Sequence, residues 1–427
     1  MTTARTTAPD AGPSSSVHDA RPPLPLDAAR TAHTWEQARA IARDAAPPLP
    51  AVTRDLGGAY AHALAEPLAA LTDLPPFDTS AMDGWAVAGP GPWRLQDTAV
   101  LAGGQPEPLR AGTAVPIATG AQLPQNATAV LRREHGTVDQ QAGVLHDQPM
   151  GSGHLTSGRD IRPRGQECRS GEGLVPACTA VTPSVLGMAA ACGYDRLLVH
   201  RRPRVELLVL GDELLESGPP REGKVRDALG PLLPPWLHSL GAEIIRHRIV
   251  ADDLALLREA VLSSPADVVV TTGSTAAGPV DFLHDTLAEA GAALLVDSVA
   301  VRPGHPMLLA RLSPAADGRP RHLVGLPGNP LAAVAGTVTL AAPLLRRLGG
   351  HADAEQRRAT ITHALPGHPH DTRLVPVLRM DDGAATQLPF DGPAMLRGLV
   401  CADGLAVVPP GGVPANATVE VLDVPGP

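Results

Sequence analysis

Between Arg204 and Gly350 the chain alternates short apolar runs with longer helix-like ones, and this alternation constrains the fold more than any other feature. The runs "RVELLVL", "AEIIRHRIV", "ADVVVTTG" and "RPRHLVGL" are rich in branched apolar residues and bounded by polar turns, as buried strands are. Between and after them come "DALGPLLPPWLHSLG", a proline-interrupted helix, then "DDLALLREAVLSS", "DFLHDTLAEAG" and the long apolar "NPLAAVAGTVTLAAPLLRRLGG". Strands and helices of these lengths in alternation predict a mostly parallel sheet with helices on both faces. Ligands of such sheets sit at the carboxyl ends of the strands. The polar residues that follow each strand are therefore the first candidates for a site.

Four strand-end segments supply them. After "VVVTT" come Gly273, Ser274 and Gly278, small enough to let backbone N–H groups approach an anion, and then Asp281. Asp281 reads equally as a helix N-cap or as an acid handling metal or water beside a phosphate. Asp212 and Glu213 follow "LLVLG", and Asp252 and Asp253 follow "HRIVA". One of the latter pair reads best as an N-cap. Acids gathered near a phosphate loop repel one another unless a divalent cation joins them. "GLPGNP" places Pro327, Gly328, Asn329 and Pro330 in a rigid turn that would aim helix-start N–H groups at a ligand. "VRPGHP" adds Arg302 and His305, cations for an anionic substrate or incidental charge on a surface loop.

At 427 residues the chain has room for roughly two to four domains. "TWEQARAIARDA" opens on a capping pattern at Thr34 and reads as a helix, and "LGGAYAHALAEPLAAL" as a second, alanine-rich one. From Trp85 to Met150 short β-like runs alternate with turns, and residues after 350 read as another β unit. We therefore expect a multi-domain α/β and β protein. Its units are a disordered tail over 1–30, an extended unit over 31–75 and 152–200, and an inserted β-rich domain over 76–151. An α/β domain over 201–349 and a C-terminal β domain over 350–427 complete it. A net charge of −9 argues against a nucleic-acid partner. No run of about 18 apolar residues predicts a membrane span, the first 30 residues lack a secretory h-region, and four scattered cysteines suit a reducing cytoplasm. "PPFDTSAMDGWAV", "ATGAQLP" and "GRDIRPRGQE" contribute Asp83, Thr119, Arg162 and Glu167, which spacing alone does not join to the strand-end loops.

Taken in order, these motifs resemble the molybdopterin molybdenumtransferase family, known as MoeA, whose animal relative is the E domain of gephyrin. "PPFDTSAMDGWAV" is close to that family's Pro-Pro-Phe-x-x-Ser-x-Met-Asp-Gly signature, and the similarity runs from Thr34 to the C-terminus. The resemblance implies that the extended unit over 31–75 and 152–200 is a dimerisation domain, and that in the homodimer the inserted β domain of one subunit completes the cleft of the other. It implies insertion of molybdate into adenylylated molybdopterin with Mg²⁺-dependent loss of AMP. Contacts with molybdopterin adenylyltransferase and with molybdoenzyme apoproteins follow from the same likeness. It assigns catalytic roles to Asp83, Thr119, Arg162, Glu213, Asp252 and Asp281, and among these Mg²⁺ to Asp83, Glu213 and Asp281. The loop of Gly273, Ser274 and Gly278, with Arg302, His305 and the Pro327–Pro330 turn, would cradle the pterin phosphate.

Several positions depart from the family pattern. Ser274 stands for a glycine, Ala276 for a serine and Pro279 for an acid. Arg302 and His305 replace two lysines in a chain whose single lysine is Lys224, and Asp227-Ala228-Leu229 replaces Asp-Thr-Asn. Two rivals to the enzyme remain open: a non-catalytic paralogue that binds molybdopterin as a scaffold or chaperone, and a nucleotide pyrophosphohydrolase on a similar sheet. The second does not account for "PPFDTSAMDGWAV".

Overall fold

The computed structural model describes residues 32–148, 155–275 and 282–424, so the expected tail over 1–30 lies outside the described residues. The predicted sheet has six strands, in the order Glu243–Val250, Arg204–Leu210, Val268–Thr272, Arg321–Leu326, Leu308–Leu312 and Ala293–Asp297. The first four are parallel. Val268–Thr272 is buried along its whole length, as a β-branched run in a sheet covered on both faces should be. The last two strands pair antiparallel with each other, so that only Leu308–Leu312 runs against the first four, and neither is foreshadowed by the alternation. They are joined only by residues 298–307, too few for a crossover helix, so the chain returns antiparallel. Leu229–Ser239 is one continuous helix despite Pro234 and Pro235.

The largest core joins this sheet to segments far away in sequence. Trp35, Ala38 and Ala42 pack with Val334, Val338 and Leu345 and with Leu374 and Leu405 of the C-terminal region. The helix Trp35–Asp44 starts with the expected capping box, in which Thr34 Oγ1 accepts the Gln37 N–H and Gln37 Oε1 accepts the Thr34 N–H. The Trp35 indole N–H donates to Thr339 Oγ1 at 3.1 Å. Pro330–Leu348, π-helical at Thr337–Ala341, is the one described helix long and apolar enough to cross a membrane. Its most apolar window is 78% buried within the fold, so its apolarity serves the core.

The second predicted helix does not form. Only Leu56–Ala59 is helical; Ala61 has φ +61, and Ala63 and Leu64 bridge to Ala180 and Val199. Gly57, Gly58 and Pro67 weaken the helix, and its alanines and leucines instead pair along strand edges. Leu68–Ala69 pairs with Gly173–Val175, and Thr79–Ser80 with Ile161–Arg162. These two antiparallel pairs form a neck that carries a six-stranded β unit running from Gly84–Val87 to Val144–Asp147. In the C-terminal unit Thr372–Arg379 pairs with both Ala384–Gln387 and Gly404–Val408, which closes that sheet on itself. The short strand Val301–Arg302 adds to it in parallel, carrying a piece of the α/β chain into the C-terminal sheet.

Candidate functional site

The carboxyl ends of the parallel strands meet along one edge. Arg204–Leu210 ends at Gly211, whose φ of +141 few other residues adopt. The Glu213 carboxylate folds back over it: a Cβ on Gly211 would lie 2.5 Å from Glu213 Oε2. Asp212 and Asp252 grip each other's turns, the Asp212 N–H donating to Asp252 Oδ2 at 3.2 Å and the Asp252 N–H to Asp212 Oδ1 at 3.3 Å. Asp253 is the helix cap, accepting the Leu256 N–H at 2.9 Å, which leaves Asp252 for the edge. Gly273 donates its N–H to Leu326 O, and a Cβ on Gly328 would come 3.6 Å from Gly273 Cα. A Cβ on Gly273 would also lie 3.3 Å from Leu210 O, so the loops that follow Leu210, Thr272 and Leu326, carrying Glu213, Gly273 and Gly328, converge. Ser274 holds φ +53, a conformation that costs a side-chain-bearing residue roughly 1–2 kcal/mol. Gly278, Pro279 and Asp281 lie outside the described residues.

The Pro327–Pro330 turn departs from expectation. Asn329 occupies the N-cap position and Pro330 the first helical one. Yet the helix-start N–H groups do not face a ligand: Leu331 and Ala332 both donate to Pro393 O, at 2.9 and 3.2 Å. The C-terminal unit has taken these donors because they are buried and require a partner. The Asp227 segment is also reassigned. Asp227 Oδ1 accepts the Leu229 and Gly230 N–H groups and starts the helix, while Leu229 is buried in the core. Apolar packing has replaced the polar side chains of the family pattern.

Arg302, expected to balance a substrate anion, donates its Nε–H to Asp371 Oδ2 at 2.8 Å. His305 Nδ1 sits 2.8 Å from Val299 O and donates to it, which fixes the tautomer of the neutral ring and leaves Nε2 as its second site. Nδ1 of His368 accepts the Asp371 and His370 N–H groups. It therefore carries a lone pair and forms no ion pair with Asp371 Oδ2, 3.4 Å away.

Asp83 and Thr119, distant in sequence, meet on the small β unit. Asp83 Oδ1 accepts the Thr119 N–H at 2.7 Å and its hydroxyl at 3.0 Å. These donors, the backbone one first, hold the carboxyl below its ordinary range. Arg162 lies on the neck strand opposite Thr79, exposed. The hydrogen bonds of Asp83 and Thr119 stay within this unit, so Asp83 is not brought to Glu213 by them. Among the described residues no group of three His, Cys, Asp or Glu side chains forms a metal cage. The donors at the edge, Glu213 with Asp212 and Asp252, are hard oxygens of the kind Mg²⁺ takes, one or two at a time, alongside water and phosphate. Asp371 and Pro393 went unnoticed in the sequence because nothing local marks which residue of a distant β unit will reach a loop.

A mostly parallel sheet with a glycine-lined strand-end edge, a necked β unit and a closed C-terminal β sheet defines a multi-domain protein of the MoeA type. Family models agree: the MoeA N-terminal region (domain I and II) matches residues 33–193. A probable molybdopterin binding domain matches 206–347, and the MoeA C-terminal region (domain IV) matches 358–424. A molybdopterin molybdenumtransferase of Nostoc sp. is 32% identical over 310 residues, 69% of each chain. The molybdopterin molybdenumtransferase 2 of Mycobacterium tuberculosis is 32% identical over 391 residues, 84% of this chain and 91% of the relative. Among solved structures, the molybdopterin biosynthesis MoeA protein of Pyrococcus horikosii superposes with a TM-score of 0.70 at 25% identity, covering 92% of this chain and 99% of that one. The chain belongs to the molybdopterin molybdenumtransferase family.

Proposed function

We propose that the protein inserts molybdate into adenylylated molybdopterin in molybdenum cofactor biosynthesis, with Mg²⁺-dependent release of AMP. The observation that carries this reading is the convergence of the loops that carry Glu213, Gly273 and Gly328 at the strand ends, beside the mutually held Asp212 and Asp252. An edge lined by glycine and acid suits a polyanion only when a divalent cation offsets the charge. Glu213 and Asp252 would hold Mg²⁺, joined by Asp281 as the family resemblance implies; when bound, the ion neutralises charge on the phosphoanhydride and on the departing AMP. Gly273 and Gly328 admit the pterin phosphate close to the backbone, and Arg302 supplies cationic donors to it; His305, whose Nδ1–H is spent on Val299 O, offers Nε2 as a donor only in the protonated ring. Asp83, kept ionised by Thr119, and exposed Arg162 would orient the oxyanion from a second subunit.

A homodimer fits one further feature. The helix Pro183–Ala191 is apolar on every side, yet Ala189 is its one buried residue, and Leu71 and Tyr60 are each 56% exposed. Apolar surface of this kind calls for a partner, and the family resemblance implies that a second copy would supply Asp83 to the cleft. The cytoplasm is the compartment in which the substrate and four free thiols fit together. The test is purified protein with adenylylated molybdopterin, Mg²⁺ and molybdate. AMP release with molybdenum incorporation supports the enzyme. Tight binding without AMP release, where a related enzyme turns over, refutes it in favour of the scaffold reading.

A further inference from the structure

We infer that Asp371, from the C-terminal β unit, is a positioning residue that aims the Arg302 guanidinium at the substrate anion. Arg302 lies on the Val301–Arg302 strand, which is paired in parallel with Thr372–Arg379, and the Thr372 N–H donates to Ala300 O. This pairing sets Arg302 beside Asp371. The carboxylate takes only the Nε–H, and among the described residues neither Nη nitrogen has a hydrogen-bond partner. The Asp371 side chain is 11% exposed and that of Arg302 is 52% exposed. A guanidinium gripped at Nε and open at both Nη groups presents the fork that phosphate oxygens accept in pairs. A lysine giving one N–H to Asp371 would keep two donors, but on a rotating ammonium and not in a fixed planar fork.

Asp371 is itself held. Its N–H donates to His368 Nδ1 at 3.0 Å, which ties the strand start to the preceding turn. The loop beyond Arg302 is pressed onto the helix that follows the Pro327–Pro330 turn: a Cβ on Gly304 would lie 3.0 Å from Ala332 O and 3.4 Å from Ala335 Cβ. That helix start is in turn bound to Pro393 O. The C-terminal unit thus fixes both the phosphate-side turn and the arginine beside it. The inference rests on the proposed function only in placing the substrate anion at this loop.

Two effects of removing Asp371 oppose each other, and their sign decides the matter. A carboxylate acting only as a competing counter-ion would weaken anion binding, so its loss would tighten it. A carboxylate that aims the fork would, on removal, loosen binding although the net charge becomes more favourable. The experiment uses the full-length protein and its Asp371→Ala, Asp371→Asn and Arg302→Ala variants. It measures KM and kcat for adenylylated molybdopterin, and inorganic pyrophosphate binding by calorimetry. Asp371→Ala should raise KM and the pyrophosphate dissociation constant about tenfold with kcat little changed. Asp371→Asn, which keeps an acceptor for Nε–H, should stay within about threefold of the parent. Adding Asp371→Ala to Arg302→Ala should change nothing further. Unchanged or tighter binding in Asp371→Ala overturns the inference, as does full additivity with Arg302→Ala. If the parent binds pyrophosphate in this pattern but releases no AMP, the proposed reaction fails and the positioning role stands. If the parent turns over and Asp371→Ala keeps its KM, the positioning role alone fails. Asp371→Asn guards against misfolding of the alanine variant, since it retains the shape of the side chain.

Discussion

Acid should weaken the sheet through one histidine. His322 lies on Arg321–Leu326, the strand that leads into the Pro327–Pro330 turn, and it is fully buried. Burial dominates its environment and pushes the imidazole down to about 4 from its ordinary 6.5; Arg311 adds to the depression, while the Ala45 carbonyl and Asp267 oppose it. The Ala45 carbonyl gives limited relief, because neither ring nitrogen makes a hydrogen bond of normal geometry. A folded-state value below the unfolded one means the unfolded chain takes the proton first. The stability is present in full above pH 6.5, is lost as the pH falls, and the loss is complete once the pH passes about 4. At pH 5 the unfolded ring is almost fully charged and the native ring almost fully neutral. The difference from pH 8 is then about 2 kcal/mol for this single group. Replacing it with leucine removes the titration and two unsatisfied buried nitrogens, so His322→Leu should be at least as stable as the parent at pH 8. It should lose about 2 kcal/mol less than the parent between pH 8 and pH 5. Urea denaturation followed through Trp35 and Trp236, both in the core that includes this sheet, measures the difference. His351, also held down at about 4 by burial, is present in both proteins and cancels. Equal losses in parent and variant would refute the reasoning.

Asp83→Ala removes the acceptor of both Thr119 donors on an exposed surface, so molybdenum insertion should collapse with the melting temperature nearly unchanged; retained turnover would assign Asp83 to local structure alone. Asp267 is fully buried and accepts from Arg201 at 2.8 and 3.0 Å, from Arg319, and from the Arg204 N–H at 2.7 Å. Asp267→Asn leaves two guanidinium groups facing a neutral side chain and should cost roughly 3–5 kcal/mol in denaturant unfolding; a loss under about 1 kcal/mol would show that the pair is exchanged for solvent at little cost.

Much of the α/β region was legible because its signals are local. Val268–Thr272 is a β-branched run bounded by glycine, and no other element suits it as well. Thr34 and Gln37 announce the first helix four residues into its own sequence, and the capping box forms as read. Where the local signals conflict, the reading fails: Leu56–Leu71 has helical composition, yet strand edges elsewhere need its residues more. The strand-end acids and glycines were identifiable for the same local reason, since parallel strands place their carboxyl ends on one edge.

What the sequence by itself determined is therefore the parallel sheet, the edge on which Glu213, Asp252 and Gly273 stand, and the ordered motifs that mark the family. Tertiary structure alone decided which of those groups are already engaged. The helix-start N–H groups at Leu331 and Ala332 are bound to Pro393 O, and the Nε–H of Arg302 belongs to Asp371. Thr119 belongs to Asp83. The reason is physical: strand and helix periodicity are written over a few neighbouring residues, whereas a hydrogen-bond partner is settled by which distant segment packing brings within about 3 Å.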